Sequence, residues 1–129
     1  MYTLIAGIEL SASERDFVEQ YMDTAVFADP PEEELFVNAD DVVTCPAWER
    51  EAVIDCLHFH SKYEVYFGDD VLASQAAHDL YLSRNGHGTG FWDNYKESKY
   101  PDWLASKMQQ TAEIMGEHQI QYEENADDR

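Results

Sequence analysis

Apolar side chains recur along this chain with two periods, one near 3.6 residues and one near two, and the places where the period changes mark its elements. Phe17, Val18, Tyr21, Met22, Ala25 and Val26 repeat at helical spacing, and Ser13 stands three residues before Asp16 much as in a capping box, which predicts a helix over about 13–27. Pro30 and Pro31 end it, since neither offers an amide to the helical ladder, and a polar loop follows. Trp48, Ala52, Val53, Cys56, Leu57, His60 and Tyr63 form a second stripe. Pro46 suits a first helical position and Glu49 and Glu51 suit the positive end of the dipole, so a second helix is expected over about 46–66. After the break at Gly68-Asp69-Asp70, residues 71–77 suit a short helix. Leu104, Met108, Thr111, Ala112 and Met115 make a third long stripe over about 101–115, with Gly116 as its stop.

Between the second and third stripes the period drops to two. Residues 78–84 read as a strand and 89–93 as its return, and Asn85-Gly86 is a strong hairpin signal because both central residues of a type I′ turn need positive φ. This pairing puts Leu80, Leu82 and Phe91 on one face and Tyr81 and Trp92 on the other, with Gly90 leaving room for the Tyr81 ring. Gln119 to Tyr122 also alternates, and Tyr2 to Leu10 reads as a short strand or extended lead-in weakened by Ala6-Gly7. The expected fold is α+β: a single domain in which three main helices (about 13–27, 46–66 and 101–115) pack on a small antiparallel sheet. That sheet is built from the 78–84/89–93 hairpin and a C-terminal strand near 119–122, and residues 123–129 are a frayed acidic tail.

Composition narrows the function classes. At 129 residues, 44% apolar and 13% aromatic, the chain has the means to bury one core. Cys45 and Cys56 have no neighbouring ligands at zinc spacing and read as reduced thiols. No run approaches the ~18 apolar residues of a membrane span, and the N-terminus lacks the basic start of a signal peptide, so a cytoplasmic location and no membrane partner are expected. The charge is the outlying property: 27 acidic against 8 basic residues leave −19. Residues 1–70 hold 17 of the acids and 3 of the bases, net −14, and such a field repels nucleic acid, so no direct nucleic-acid partner is expected.

His78-Asp79-Leu80-Tyr81-Leu82-Ser83-Arg84-Asn85-Gly86-His87-Gly88-Thr89-Gly90-Phe91-Trp92-Asp93 resembles a segment of many small, acidic, uncharacterised bacteriophage proteins, His-Asp-Phe-Trp-Leu-Thr-Arg-Asn-Gly-His-Gly-Ala-Gly-Phe-Trp-Asp. Leu80-Tyr81 replaces Phe-Trp, Ser83 replaces Thr, and Thr89 replaces Ala. The resemblance spans 16 of 129 residues and implies a phage origin, hence a bacterial host cell, but brings no reaction or ligand with it.

Catalytic and metal chemistry find little support in the pattern. His58 and His60, two apart on a helix, point away from each other, and His78 reaches His87 only if the intervening loop folds back, so His78 is expected at the sheet edge. There is no Gly-x-Ser-x-Gly, His-x-Glu or Cys-x-x-Cys, and the glycines at 86, 88 and 90 precede a strand rather than a phosphate-binding helix. No cofactor, no metal and no enzymatic activity are expected. The lead expectation is an acidic phage accessory protein that inhibits a host nucleic-acid-handling or defence protein by filling its basic groove, nucleic-acid mimicry of the anti-CRISPR or anti-restriction kind being the candidate mechanism. Glu14, Glu19, Asp23, Glu32, Glu33, Glu34, Asp40, Asp41, Asp69 and Asp70 are the expected contacts, with Arg84, His87 and Trp92 as a secondary surface. The alternatives are an interaction module using Tyr81, Trp92 and Arg84, and a small ligand binder or enzyme at the hairpin that needs His87. A purely solvating acidic surface and adaptation to high salt compete with mimicry as the origin of the charge.

Overall fold

A computed structural model describes residues 3–30, 44–68, 70–86, 91 and 100–122. Among these residues four helices carry the fold: α1 (Ala12–Ala28), α2 (Pro46–Tyr63), α3 (Asp70–Arg84) and α4 (Asp102–Met115), with a 3-10 turn at Glu64–Tyr66. Two three-residue strands, β1 (Thr3–Ile5) and β2 (Ile8–Leu10), pair antiparallel ahead of α1 and are the only named strands among the described residues. Helix α1 packs most extensively on α3 and also against α2, while α4 closes on α3.

The α+β expectation is overturned, and the architecture is helical. Residues 78–84 form the second half of α3. The physical reason lies in a longer window: Leu72, Ala76, Ala77, Leu80, Tyr81 and Arg84 recur at steps of four, one, three, one and three, a helical stripe that absorbs the apparent alternation. Leu80, Tyr81 and Leu82 are all buried, so the predicted two-faced partition does not exist. Asn85-Gly86 ends the helix instead of turning a hairpin. Only Gly86 has positive φ (70°), the left-handed conformation of a helix stop. The Asn85 side chain donates to the Tyr81 carbonyl at 2.9 Å, so it caps the last turn. Of the expected return strand only Phe91 is described; it is buried, and its ring stacks on Phe59 at 5.9 Å. The expected strand near 119–122 reduces to one bridge between Thr44 and Tyr122, beside which the Cys45 amide donates to the Gln121 carbonyl at 2.8 Å. The tail at 123–129 lies outside the described residues.

Three helices stand close to their expected spans, each for a local reason. In α1 the capping box is Ser11 with Glu14, two residues ahead of the Ser13–Asp16 pair: the Glu14 amide donates to Ser11 Oγ at 3.3 Å and the Ser11 amide to Glu14 Oε1 at 2.8 Å. Pro46 opens α2. Gly116, at φ 80°, closes α4. The core between the helices is aromatic: Phe17 stacks on Phe59 at 6.0 Å, Phe91 meets Tyr100 edge-on at 5.8 Å, and Tyr21 meets Tyr81 at 5.3 Å. Cys56 and Met108 lie in this core, and both cysteines are free thiols.

Candidate functional site

Helix α1 presents its acids unevenly. Asp16, Glu19 and Asp23, at steps of three and four, share its exposed face, whereas Glu14 is only partly exposed and is held by the cap. Asp16 pairs with Arg15 at 2.9 Å. Asp70 is the first residue of α3. Glu32, Glu33, Glu34, Asp40, Asp41, Asp69, His87 and Trp92 lie outside the described residues.

Arg84, expected on a secondary contact surface, is 5% exposed. Its guanidinium donates through Nε to the Gly116 carbonyl at 2.9 Å, through Nη1 to the Tyr21 hydroxyl at 3.1 Å and through Nη2 to the Met115 carbonyl at 3.4 Å. It also pairs with Asp55 at 3.0 Å. One planar fork thereby joins α1, α2 and the end of α4 to α3, satisfying carbonyls that the last turn of α4 would otherwise leave open. Tyr81 is equally internal: its hydroxyl donates to Asp29 at 2.7 Å and accepts from the Ile120 amide at 3.0 Å. Neither residue offers a surface to a partner, so the interaction-module alternative loses two of its three side chains.

Four polar side chains, Gln20, Ser74, Gln75 and His78, reach solvent together in a groove between α1 and α3. A cavity of about 440 Å³ is lined by Gln20, Val71, Ser74, Gln75 and His78, and a second of about 240 Å³, lined by Ser13, Asp16, Phe17, Ala73 and Ser74, shares Ser74 with it. Behind the larger cavity lies Asp79, 1% exposed. One carboxylate oxygen accepts from Gln75 Nε2 at 2.9 Å and from His78 Nδ1 at 3.2 Å, and the other accepts from the Tyr100 hydroxyl at 2.9 Å. Burial pushes the Asp79 carboxyl above its ordinary value, against hydrogen bonds from His78, Tyr100 and Gln75 that act to lower it. Burial, with Asp79 beside it, also drives the Tyr100 phenol up. His78 is 38% exposed at its side chain and sits at the groove rather than at a sheet edge.

This centre escapes a reading of 78–84 as a strand. Read as a helix, Gln75 and Asp79 fall four apart and Ser74 and His78 do likewise, which places two pairs on adjoining lines of one face. Tyr100 carries no such signal, since its approach to Asp79 is tertiary.

Among the described residues, no group of three or more His, Cys, Asp and Glu side chains is placed to hold a metal ion, and no helix is long and apolar enough to cross a membrane. No family model, curated protein or solved structure matches the chain.

Proposed function

We propose that this protein acts by binding a cationic groove of another macromolecule, a host nucleic-acid-handling or defence protein, and blocking it. The observation that carries the reading is the exposed row Asp16, Glu19 and Asp23 on α1 in a chain of charge −19 whose motif cation, Arg84, is turned inward and already paired. Steps of three and four residues space that row by roughly 4.5 and 6 Å along the helix axis. One DNA strand carries a phosphate about every 3.4 Å. The α1 row is sparser, which favours complementarity of charge with a basic surface over atom-by-atom copying of a duplex. The phage-like segment supplies the setting of this proposal, a protein working against its bacterial host.

The test is capture of a partner from a bacterial lysate on the immobilised protein, followed by titration. Duplex DNA should displace the partner, and the double variant Glu19→Lys/Asp23→Lys should bind at least about tenfold more weakly. Affinity that does not fall between low and high salt would sink this reading.

A further inference from the structure

Every described polar side chain that walls the larger cavity between α1 and α3 has a donor directed onto a neighbour. Ser74 Oγ donates to Gln20 Oε1 at 3.0 Å, and Gln20 Nε2 donates to Thr24 Oγ1 at 3.2 Å. Gln75 Nε2 and His78 Nδ1 both donate to the buried carboxylate of Asp79. A carboxylate accepts and cannot donate, so Asp79 occupies one N–H of Gln75 and the Nδ1–H of His78 and leaves facing the groove the Gln75 carbonyl oxygen, its second N–H and, in the neutral imidazole, the Nε2 lone pair of His78. The wall thus presents two acceptors, Gln75 Oε1 and His78 Nε2, beside amide donors. Among the described residues no Lys or Arg lines either cavity, Asp16 lines the adjoining one, and Val71, Phe17 and Ala73 supply apolar surface between the polar groups. The field of a chain at −19 concentrates cations and depletes anions at such a groove.

From this arrangement we infer that the α1/α3 groove is a binding site for an alkylammonium group. The ammonium donates to His78 Nε2 and Gln75 Oε1, Asp16, whose Oδ1 is held by Arg15, supplies countercharge through Oδ2, and the methylene chain lies over Val71, Phe17 and Ala73. Phosphates and carboxylates are excluded by charge. A neutral ligand gains less, because charge-assisted hydrogen bonds are about twice as strong as neutral ones. The chemistry is common to two sources, a free linear polyamine and a lysine side chain of another protein. This site goes beyond the macromolecular groove-binding proposed above and stands whether or not that partner exists, because its ligand is recognised by His78, Gln75 and Asp16 without help from Glu19 or Asp23.

The experiment is a titration of the full chain with 1,4-diaminobutane and, separately, with Nα-acetyl-lysine methylamide, read by calorimetry and by chemical shifts of the His78 ring. Saturable binding is expected, with shifts confined to α1 and α3. His78→Ala, Gln75→Leu and Asp16→Asn should each weaken it roughly tenfold, while Glu113→Gln, which removes one charge from the exposed face of α4, should leave affinity within about twofold. Binding of the diamine alone supports a polyamine site, and binding of both probes supports a lysine-receiving one. Non-saturating shifts spread over the acidic surface, or equal weakening by Glu113→Gln and Asp16→Asn, would overturn the inference, since both outcomes mean that only the general field attracts the amine.

Discussion

Helix α3 carries two buried polar centres of opposite sign, Asp79 and Arg84, and they are used differently. Arg84 directs its fork inward and along the chain, to the Tyr21 hydroxyl, the Met115 and Gly116 carbonyls and the Asp55 carboxylate, none of which belongs to α3. Asp79 takes two of its three donors from its own helix, Gln75 and His78, and both of those line an open groove. The first centre fastens elements together. The second organises side chains that solvent and solutes can reach. A buried charge is thus a poor guide to function until its partners have been traced: the residue that sequence reasoning ranked as a surface contact serves cohesion, and the carboxylate that it passed over stands behind the groove.

The largest effect that separates the two centres should come from Arg84→Met. It leaves Asp55 without its cation and opens the end of α4, and loss of one partner of a buried pair costs about 3–5 kcal/mol. The lower end is expected because Asp55 keeps 33% of its side chain in solvent. Chemical denaturation measures it, and a change below one kilocalorie, on the order of a surface substitution, would erase the distinction drawn here.

Tyr100→Phe should cost less, about 1 kcal/mol for a lost hydrogen bond to the Asp79 carboxylate. It also carries a signature in pH. The folded carboxyl of Asp79 already titrates above its unfolded value, so the stability linked to its proton is fully present below the unfolded range and is lost as pH rises through the folded value. Removing the Tyr100 donor takes away one of the interactions that hold that value down, and the window should widen upward. A carboxyl-carbon NMR titration of Asp79 in both proteins checks the direction; a downward movement would mean that the phenol does not stabilise the ionised form. The smallest effect belongs to His78→Ala, whose ring is 38% exposed and whose bond to Asp79, at 3.2 Å, is the longest of the three, so stability should fall by about 0.5 kcal/mol, although the same variant should lose amine binding.

How much of this was legible depended on which physical signal was strongest at each place. Long stripes such as Trp48, Ala52, Val53, Cys56, His60 and Tyr63 mark α2 because burying one face of eighteen residues leaves a pattern that no other element produces. Residues 78–84 misled because seven positions fit either period, and the decisive partners Leu72, Ala76 and Ala77 lie upstream of the motif. The Xaa-Gly dipeptides make the same point. Asn85-Gly86 has hairpin chemistry and stops a helix, whereas Ala6-Gly7, with φ of 53° and 79°, turns the two-residue connection between Ile5 and Ile8. Local chemistry permits both outcomes, and the preceding element decides between them. The groove was hidden for a further reason: Tyr100 reaches Asp79, and α1 meets α3, only through the folded chain.

The segment after α4 also sets an order of events. The Trp48 indole donates to the His118 carbonyl at 3.1 Å, the His118 amide donates to Asn85 Oδ1 at 2.8 Å, and the Tyr122 hydroxyl donates to the Asp29 carbonyl at 2.8 Å, a closure spanning 93 residues. Closing so long a loop carries an entropic cost that local helix formation does not. On a ribosome, α1 and α2 emerge and coil well before residue 122 is free of the exit tunnel, so the Trp48 indole and the Asn85 side chain make these contacts only after the segment following α4 has emerged. A nascent chain stalled before residue 116 should therefore be more open to proteases than one in which residue 122 has cleared the tunnel.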